Sequence, residues 1–491
     1  MTLDAKSCYR AVQGRDARFD GRFFTAVRTT GIYCRPICPA RTPLRRHVQF
    51  YACAAAAEQA GFRPCRRCRP DAAPGSPSWM GTSATVARAV RLIGAGALDE
   101  EGVDSLAARL GVGERHLRRL FEQHLGSSPQ AVASSRRAHF GRQLIDATTL
   151  TMTEVALASG FGSVRQFNDV MRTVFQRTPT ELRGSRTARP GTMSLKLAYR
   201  PPYDWDALIG FLGARAILGV EHVEAHRYLR TFEGGVLEVR PSAPRPPGAR
   251  DGRRAGSLVL TVRGRSAHWL DLVRRVRRFF DLDADPLAIT ACLGGASELR
   301  AAVAARPGLR VPGSFDRFET FCRAVLGQQV SVQAATTLCG RLVKAFGEPV
   351  SGAEEGLTHR FPTPARLARA DLSRLGVPRA RGEAIRGVAA ALARGEPVLE
   401  PAADLDKLIS RLCALPGVGP WTAHYLAMRA FGEPDAFPAG DLVLRRATGL
   451  DERALERRSR AWRPWRAYAA IHLWTATHEE ERNHEDHAVA S

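Results

Sequence analysis

Two stretches of the chain gather residues whose types and spacing can do chemistry. In the first, Cys34 and Cys38 stand with three residues between them in YCRPICPAR, and Cys65 and Cys68 with two between them in RPCRRCRPD. Four thiolates in two close pairs suit a tetrahedral Zn²⁺, because each pair can bend around one ion while the chain between the pairs folds back. An iron–sulfur centre is the other occupant that four such sulfurs accept. Arg35, Arg41, Arg45, Arg46, Arg63, Arg66, Arg67 and Arg69 crowd the same stretch. Four thiolates leave a zinc centre net negative, so nearby guanidinium groups offset that charge and can also hold phosphates. The other six cysteines, Cys8, Cys53, Cys292, Cys322, Cys339 and Cys413, are scattered. They read as small core residues kept reduced in a cytoplasmic setting.

The second stretch is LCALPGVGPWTAHYLAMRAFGEPDAFPAGDLVLRRA, residues 412–447. A helix is predicted to end near Leu415, the Pro416-Gly417-Val418-Gly419 turn to reverse the chain, and a second helix to start at about Trp421. Gly417 and Gly419 permit the turn and leave backbone N–H groups uncovered at a helix N-terminus, an anion site that fits one phosphate and carries no base specificity. Asp441 follows by about one helix and a loop, after Phe437, Pro438, Ala439 and Gly440. An aspartate there can cap the next helix. A carboxylate at the mouth of a cleft can also stabilise positive charge on a sugar whose glycosidic bond is breaking, or orient the attacking water.

Several folded units must position these groups, since 491 residues suggest about three domains. Stretches rich in Gly, Pro, Ser or Arg around 72–83 and 183–192 read as linkers. They separate a cysteine-rich domain at 1–75, with short strands such as GRFFTAVRT, from a helical domain at 84–183. A C-terminal unit follows, β-rich over 193–270 and helical over 271–485. PSAPRPPGARDGRRAG, at 241–256, lies between the alternating runs GGVLEVR and SLVLTVRG and reads as a loop joining strands of one sheet. The expected fold class is therefore multi-domain and mainly α with α+β parts.

Residues 104–182 carry one pattern twice, DSLAARLGVGERHLRRLFEQHLGSSP and TEVALASGFGSVRQFNDVMRTVFQRTP. Each is a small-residue helix, a turn at Gly111 or Gly160, a second helix, then Pro129 or Pro179, the pattern of a tandem helix-turn-helix. Leu117, Phe121 and Leu125 match Phe167, Met171 and Phe175, an apolar stripe that must be buried. The opposite faces carry Arg115, His116, Arg118 and Arg119, then Ser163, Arg165, Gln166 and Asn168, groups suited to phosphates and base edges. Lys and Arg number 72 against 49 Asp and Glu, a formal charge of +23 that favours a polyanionic partner. MTLDAKSCYRAVQ lacks the apolar run of a signal peptide, and no stretch approaches the roughly 18 apolar residues of a spanning helix. A cytoplasmic protein without a membrane partner is expected.

FFTAVRTTGIYCRPICPAR followed by FYACAAAAEQAGFRPCRRCRPD resembles the N-terminal domain of the Ada family of adaptive-response proteins. The resemblance implies one Zn²⁺ held by Cys34, Cys38, Cys65 and Cys68. It also implies that Cys34, the first cysteine of the CRPxC element, accepts a methyl group irreversibly from methylphosphotriesters in DNA, with Arg67 among the arginines near the backbone. Methylation removes a negative charge beside DNA, which raises affinity for phosphates. The Pro-Cys-His-Arg motif of that family's second methyltransferase domain is absent, so O6-methylguanine repair by that route is not expected. The tandem helix-turn-helix with RRAHFGRQLIDATTLTMTEVA between its halves resembles the DNA-binding domain of the AraC family of transcription regulators. That resemblance implies DNA contacts from Arg118, Arg165 and Gln166, with promoter DNA and RNA polymerase as further partners.

LKLAYRPPYDWDALIGFLGARAILGVE from Leu195, FCRAVLGQQVSVQAA from Phe321, the glycine hairpin, the FPAGD element and WRPWRAYAAIHLW from Trp462 together resemble the AlkA family of 3-methyladenine DNA glycosylases, of the helix-hairpin-helix superfamily, over roughly 193–480. This implies Asp441 as the catalytic carboxylate and Trp421, Tyr425 and Trp474 as the base pocket, whose electron-rich faces suit cationic alkylated purines. No cofactor is needed for that reaction. Trp421 stands where lyases of the superfamily place a Schiff-base lysine, so monofunctional hydrolysis leaving an abasic site is expected. No cysteine follows Asp441, so the iron–sulfur cluster of some relatives is not expected. In the LGQQVS loop, Gln328 is a candidate for minor-groove contact. Gln329 stands where the family has a leucine that fills the gap left by a flipped base; glutamine can hydrogen-bond to the orphaned base but wedges less apolar surface.

Two functions compete on these grounds. One is a repair enzyme that removes alkylated bases from double-stranded DNA, fused to an alkyl acceptor and a DNA binder. The other is an alkylation-responsive transcription regulator whose C-terminal fold is a non-catalytic DNA clamp. Asp441 with three aromatic residues favours the enzyme.

Overall fold

The computed structural model describes residues 4–75, 84–94, 96–99, 101–183, 192–242, 256–264, 266, 268–350 and 356–489. Most of the two linkers and of the 241–256 loop lies outside the described residues. The chain forms two compact units, one of Met1–Pro202, Gly234–Arg277 and Leu282–Asp285, the other of Tyr203–Glu233, Arg278–Asp281 and Pro286–Ser491.

The first unit opens with a four-stranded sheet in the order Val48–Tyr51, Phe24–Val27, Ile32–Cys34, Arg63–Pro64. Aromatic and β-branched residues fill these strands, and Phe24, Ala26 and Tyr33 are buried. The last two strands run parallel with Tyr33 opposite Pro64. Cys34 and Cys65 therefore leave adjacent strands side by side.

The helix-turn-helix repeat follows as Val103–Arg109 with Glu114–Leu125, and Met152–Ala158 with Val164–Phe175. The helix Pro129–Ala147 joins the pairs, started by the Ser128 cap and a proline at its first turn. Gly160 has φ +82°, and a Cβ there would come within 3.3 Å of Arg137, so both backbone and space require glycine. Leu117, Phe121, Leu125, Phe167 and Met171 are buried as the periodicity predicts. Phe175 departs from it: Val174 takes the buried position, and Phe175 is half-buried, tilted against His139 at 5.7 Å. The cause is the helix end. Gln176 turns into the left-handed region at φ 52°, so the 3.6-residue period stops there.

Polar groups join the cysteine module to the connecting helix. His139 Nε2 and Glu58 Oε1 lie 2.7 Å apart, and Tyr33 donates its hydroxyl proton to the same oxygen at 2.7 Å. Arg69 pairs with Asp71 at 2.6 Å and with Asp146 at 2.5 Å. Three antiparallel strands complete the unit: Thr192–Tyr199 and Gly235–Pro241 both pair with Gly256–Gly264, with Leu195 and Val239 opposite Leu260. Met193, Leu195 and Leu197 alternate into the core, which is the period-2 signature expected from the sequence.

The second unit carries the hairpin Glu221–Glu224 with Arg227–Phe232, then a helical array. The helix Arg317–Leu326 is buried over most of its surface, Glu319 and Thr320 included, and packs against Val332–Phe346, Arg379–Ala393 and Pro420–Arg429. A two-residue ladder, Glu348–Pro349 with His359–Arg360, interrupts the expected all-helical region. It is anchored where the Thr358 and His359 N–H groups donate to the Gly219 carbonyl, a pairing too short to leave any periodicity. Among the described residues, no helix is long and apolar enough to cross a membrane.

Burial opposes charge on His139, but the hydrogen bond and charge of Glu58 outweigh it and raise its pKa above 6.5. Burial likewise opposes charge on Glu58, and His139 and Tyr33 reverse it, holding the carboxyl below 4.5. The stability drawn from this pair is thus complete between those two values. It declines as pH falls through the lowered carboxyl value, and again as pH rises through the raised imidazole value. His139→Gln is expected to cost about 3 kcal/mol within that window, because it strands a buried carboxylate, and progressively less in alkaline buffer. Thermal unfolding of both proteins across the pH range checks this; a gap independent of pH contradicts it.

Candidate active site and metal centre

In the first unit the Sγ atoms of Cys34, Cys38, Cys65 and Cys68 all lie within 4.8 Å of one another, and those of Cys38 and Cys65 are 4.0 Å apart. A Zn–S bond of about 2.3 Å in a tetrahedron separates sulfurs by roughly 3.8 Å, so the four thiols fit a metal of that size. Cys65 and Cys68 are buried while Cys34 and Cys38 are half-exposed. Cys34 lines a groove of about 480 Å³ together with Arg41, Arg63, Arg66 and Arg67.

The eight arginines of this stretch divide by role. Arg35 is buried, bonded to Asp20 and donating to the Cys68 carbonyl at 3.1 Å, while its backbone N–H meets Cys68 Sγ at 3.4 Å. Arg69 is engaged by Asp71 and Asp146. Both have their charge taken up by aspartates, although Arg35 also lines the groove, whereas Arg66 and Arg67 are exposed beside it. Of the scattered cysteines, Cys8, Cys53, Cys322 and Cys339 are buried, and burial pushes Cys8 and Cys339 up to about 11 and Cys53 to about 12. Cys292 and Cys413 are only partly covered.

In the helix-turn-helix repeat, Arg115, His116, Arg118, Arg119, Arg165 and Gln166 are exposed as expected. Arg118 pairs with Glu114 one turn back at 2.6 Å. Ser163 caps its helix by accepting from the Gln166 N–H at 3.1 Å, and Gln166 Oε1 accepts from the Gly162 N–H at 3.3 Å. These two residues thus hold the turn in shape as well as facing outward.

In the second unit the helix Leu405–Cys413 is followed by the hairpin and the helix Pro420–Arg429. Gly417, at φ +73°, has Ala384 within 3.1 Å of where a Cβ would stand. Gly419 has nothing within 4 Å of that position, so the face ahead of the second helix is open. Gln328 from the LGQQVS loop donates its amide to the Gly417 carbonyl at 2.7 Å and to Thr422 Oγ1 at 3.3 Å, tying the loop to the hairpin. Its neighbour Gln329 is exposed and left-handed, at φ 54°.

Asp441 caps the helix Leu442–Thr448, its Oδ1 accepting from the Val443 and Leu444 N–H groups at 3.0 Å each. The same carboxylate accepts from two indoles: Trp474 Nε1 at 3.0 Å on Oδ1 and Trp421 Nε1 at 2.8 Å on Oδ2. Trp421 stacks on Tyr425 at 5.3 Å and 9°. Capping and site geometry are therefore one arrangement, and Asp441, Trp421, Tyr425 and Trp474 come together. His424, unremarked in the sequence reading, accepts from the Phe437 N–H at 3.3 Å, and burial lowers its pKa, which suits a neutral acceptor. Arg429 donates to the Tyr425 hydroxyl at 2.7 Å. Neither had a local signal beyond sitting one turn from an aromatic residue.

Helix-hairpin-helix geometry beside a capped aspartate, with a four-cysteine centre and a tandem helix-turn-helix, defines a multi-domain DNA-repair protein of the base-excision class. Residues 7–71 match the metal binding domain of Ada, 106–185 a helix-turn-helix domain, 194–316 the AlkA N-terminal domain and 322–460 the HhH-GPD superfamily of base excision DNA repair proteins. The chain is 46% identical, over 97% of its own length and 97% of the relative's, to the probable bifunctional transcriptional activator/DNA repair enzyme AlkA of Mycobacterium tuberculosis. It is 36% identical to DNA-3-methyladenine glycosylase 2 of Escherichia coli, over 57% of this chain and 95% of that protein. It is 38% identical to the bifunctional transcriptional activator/DNA repair enzyme Ada of Escherichia coli, over 31% of this chain and 42% of that protein. The chain belongs to the family of bifunctional transcriptional activator/DNA repair enzymes AlkA.

One metal ion per chain is expected in purified protein by elemental analysis. Cys65→Ser, which removes a buried ligand, is expected to lose the ion and to lower the melting temperature of the unit that holds it. Full metal retention in that variant would exclude the four-sulfur centre.

Proposed function

We propose that the second unit hydrolyses the N-glycosidic bond of alkylated bases in double-stranded DNA, with Asp441 as the catalytic carboxylate and Trp421, Tyr425 and Trp474 as the pocket for the extruded base. The observation that carries this is Asp441 clasped by two indoles beside a stacked tyrosine. A purine methylated at N3 or N7 is cationic, so it stacks favourably on these rings and is already a good leaving group. As the bond to C1′ breaks, its electron pair passes to the base, which leaves neutral. The Asp441 carboxylate stabilises the positive charge left on the sugar, water adds to C1′ and releases a proton, and an abasic site remains. Its four hydrogen bonds hold the carboxylate in place throughout, so no reorganisation precedes the reaction. The open hairpin face at Gly417 and Gly419 suits a backbone phosphate, and Gln329 is the side chain at the wedge position.

For the first unit the proposal is methyl transfer from a DNA methylphosphotriester to Cys34. A Zn²⁺ at the four sulfurs would keep the thiols as thiolates. Cys34 Sγ attacks the methyl carbon, the carbon–oxygen bond breaks, and its electrons return to the phosphate as a diester anion, leaving a thioether. Cys34 is half-exposed and opens on the arginine-lined groove, as does Cys38, and of the two it is the first cysteine of the CRPxC element on which the resemblance places the acceptor. Arg67, Arg118, Arg165 and Gln166 are the proposed DNA contacts of this unit, and recruitment of RNA polymerase at a promoter is its proposed regulatory outcome.

Purified protein is expected to release free 3-methyladenine from methylated duplex DNA. Asp441→Asn is expected to lower that rate by roughly a hundred- to a thousandfold while retaining DNA binding. No release by the wild type would favour the damage-sensing regulator instead. Cys34→Ala is expected to keep base release and to lose stoichiometric transfer of labelled methyl groups from the DNA backbone.

A further inference from the structure

We propose that Arg429 is a positioning residue that biases the base pocket toward neutral purines bearing a hydrogen-bond acceptor and against cationic ones. The inference rests on the reading of Trp421, Tyr425 and Trp474 as that pocket. Arg429 is 8% exposed and lies directly behind Tyr425. It donates to the phenol oxygen at 2.7 Å and to the carbonyls of Pro312 and Gly313, and its guanidinium carbon is 5.4 Å from the Tyr425 ring centre. Among the described residues none of its hydrogen bonds goes to a carboxylate.

The carboxylates of this region are already engaged. Glu319 bonds Arg230 and Arg323 at 2.7 Å each, and Glu221 bonds Arg323 and the Tyr228 hydroxyl. Arg215, half-buried, stacks on Phe211 at 3.8 Å while Arg429 lies 4.7 Å from the same ring. Four guanidinium groups thus share two carboxylates on the Arg429 side of Tyr425, while the Asp441 carboxylate lies at Trp421, which stacks on the same ring. Arginine stays protonated at any working pH, so this field is permanent.

Two consequences point the same way. The phenol oxygen accepts from a cation, so its own O–H proton is directed elsewhere and is a strengthened donor for a base carbonyl or ring nitrogen. The same positive field offsets the attraction that an aromatic face holds for a cationic base. A pocket built only from Trp421, Tyr425 and Trp474 would favour charged lesions; Arg429 moves the balance toward neutral ones.

The test uses the full chain and duplexes carrying a single 7-methylguanine, which is cationic, or a single hypoxanthine, which is neutral with a carbonyl acceptor, under single-turnover conditions. Arg429→Met is expected to lower hypoxanthine release about tenfold, the worth of one charge-assisted hydrogen bond, while 7-methylguanine release holds or rises. Arg429→Lys keeps the charge and is expected to retain most of the wild-type ratio. Should Arg429→Met fail to fold, Tyr425→Phe removes the donor and leaves the buried cation, and is expected to shift the ratio in the same direction. Equal losses on both substrates, in whichever of these variants folds, overturn the role of Arg429 and leave the glycosylase reading intact. A wild-type chain that releases neither base overturns the pocket reading itself.

Discussion

Four hydrogen bonds converge on the Asp441 carboxylate, and the elements of the second unit around it depend on that convergence; on the proposed reading, a group that acts as a bond breaks has to be aimed beforehand. Asp441 takes two hydrogen bonds from the start of its own helix and two from indoles on other helices. Each donor fixes one element. Trp421 places the hairpin helix, and Trp474 places the helix Arg466–Val489. The segment between them is held by a bidentate pair of Arg466 with Asp435 at 2.7 and 2.8 Å, by His424 under the Phe437 N–H, and by Phe437 packed edge-on to Trp462. Removing any one of these supports would leave Asp441 present but loosely aimed, and aim is what a preorganised charge contributes.

The four-cysteine cluster is positioned by a different device. Its cysteines leave the ends of two parallel strands, and the turn that follows Cys34 is closed by Arg35, whose buried bond to Asp20 lies beside the sulfurs. The strands bring Cys34 and Cys65 side by side, and Arg35 ties the turn after Cys34 to Asp20 and to the Cys68 carbonyl. One site is thus built from helix starts and the other from strand ends, both being places where the backbone still has hydrogen-bonding groups to offer a side chain.

Much of this was legible because it is local. Cysteine spacing marked the cluster of four sulfurs, glycines marked the turns at Gly160 and Gly417, and the i, i+4, i+8 stripes marked which helix faces are buried. The stripe failed at Phe175 because a period says nothing about where a helix stops. Gln328 could be read only as a loop residue, since its partners, the Gly417 carbonyl and Thr422, are brought near it by folding. The same holds for the bond between Arg429 and Tyr425 and for the pair of Glu58 with His139, which is separated by 81 positions in the chain. Polar pairing between distant elements leaves no periodic trace, because a single Arg, Glu or His reads equally well as a solvated surface residue.

The contact of Tyr33 with Glu58 and His139 bears on how such a chain could have been assembled. Tyr33 precedes Cys34 and Arg69 follows Cys68, so the residues flanking the metal ligands are the same ones that grip the connecting helix of the DNA-binding module. A recombination breakpoint placed between the two modules would split a buried charge pair and leave half of it on each fragment. A substitution in the long helix at His139 or Asp146 therefore acts directly on Tyr33 and Arg69, the residues that flank the cysteines.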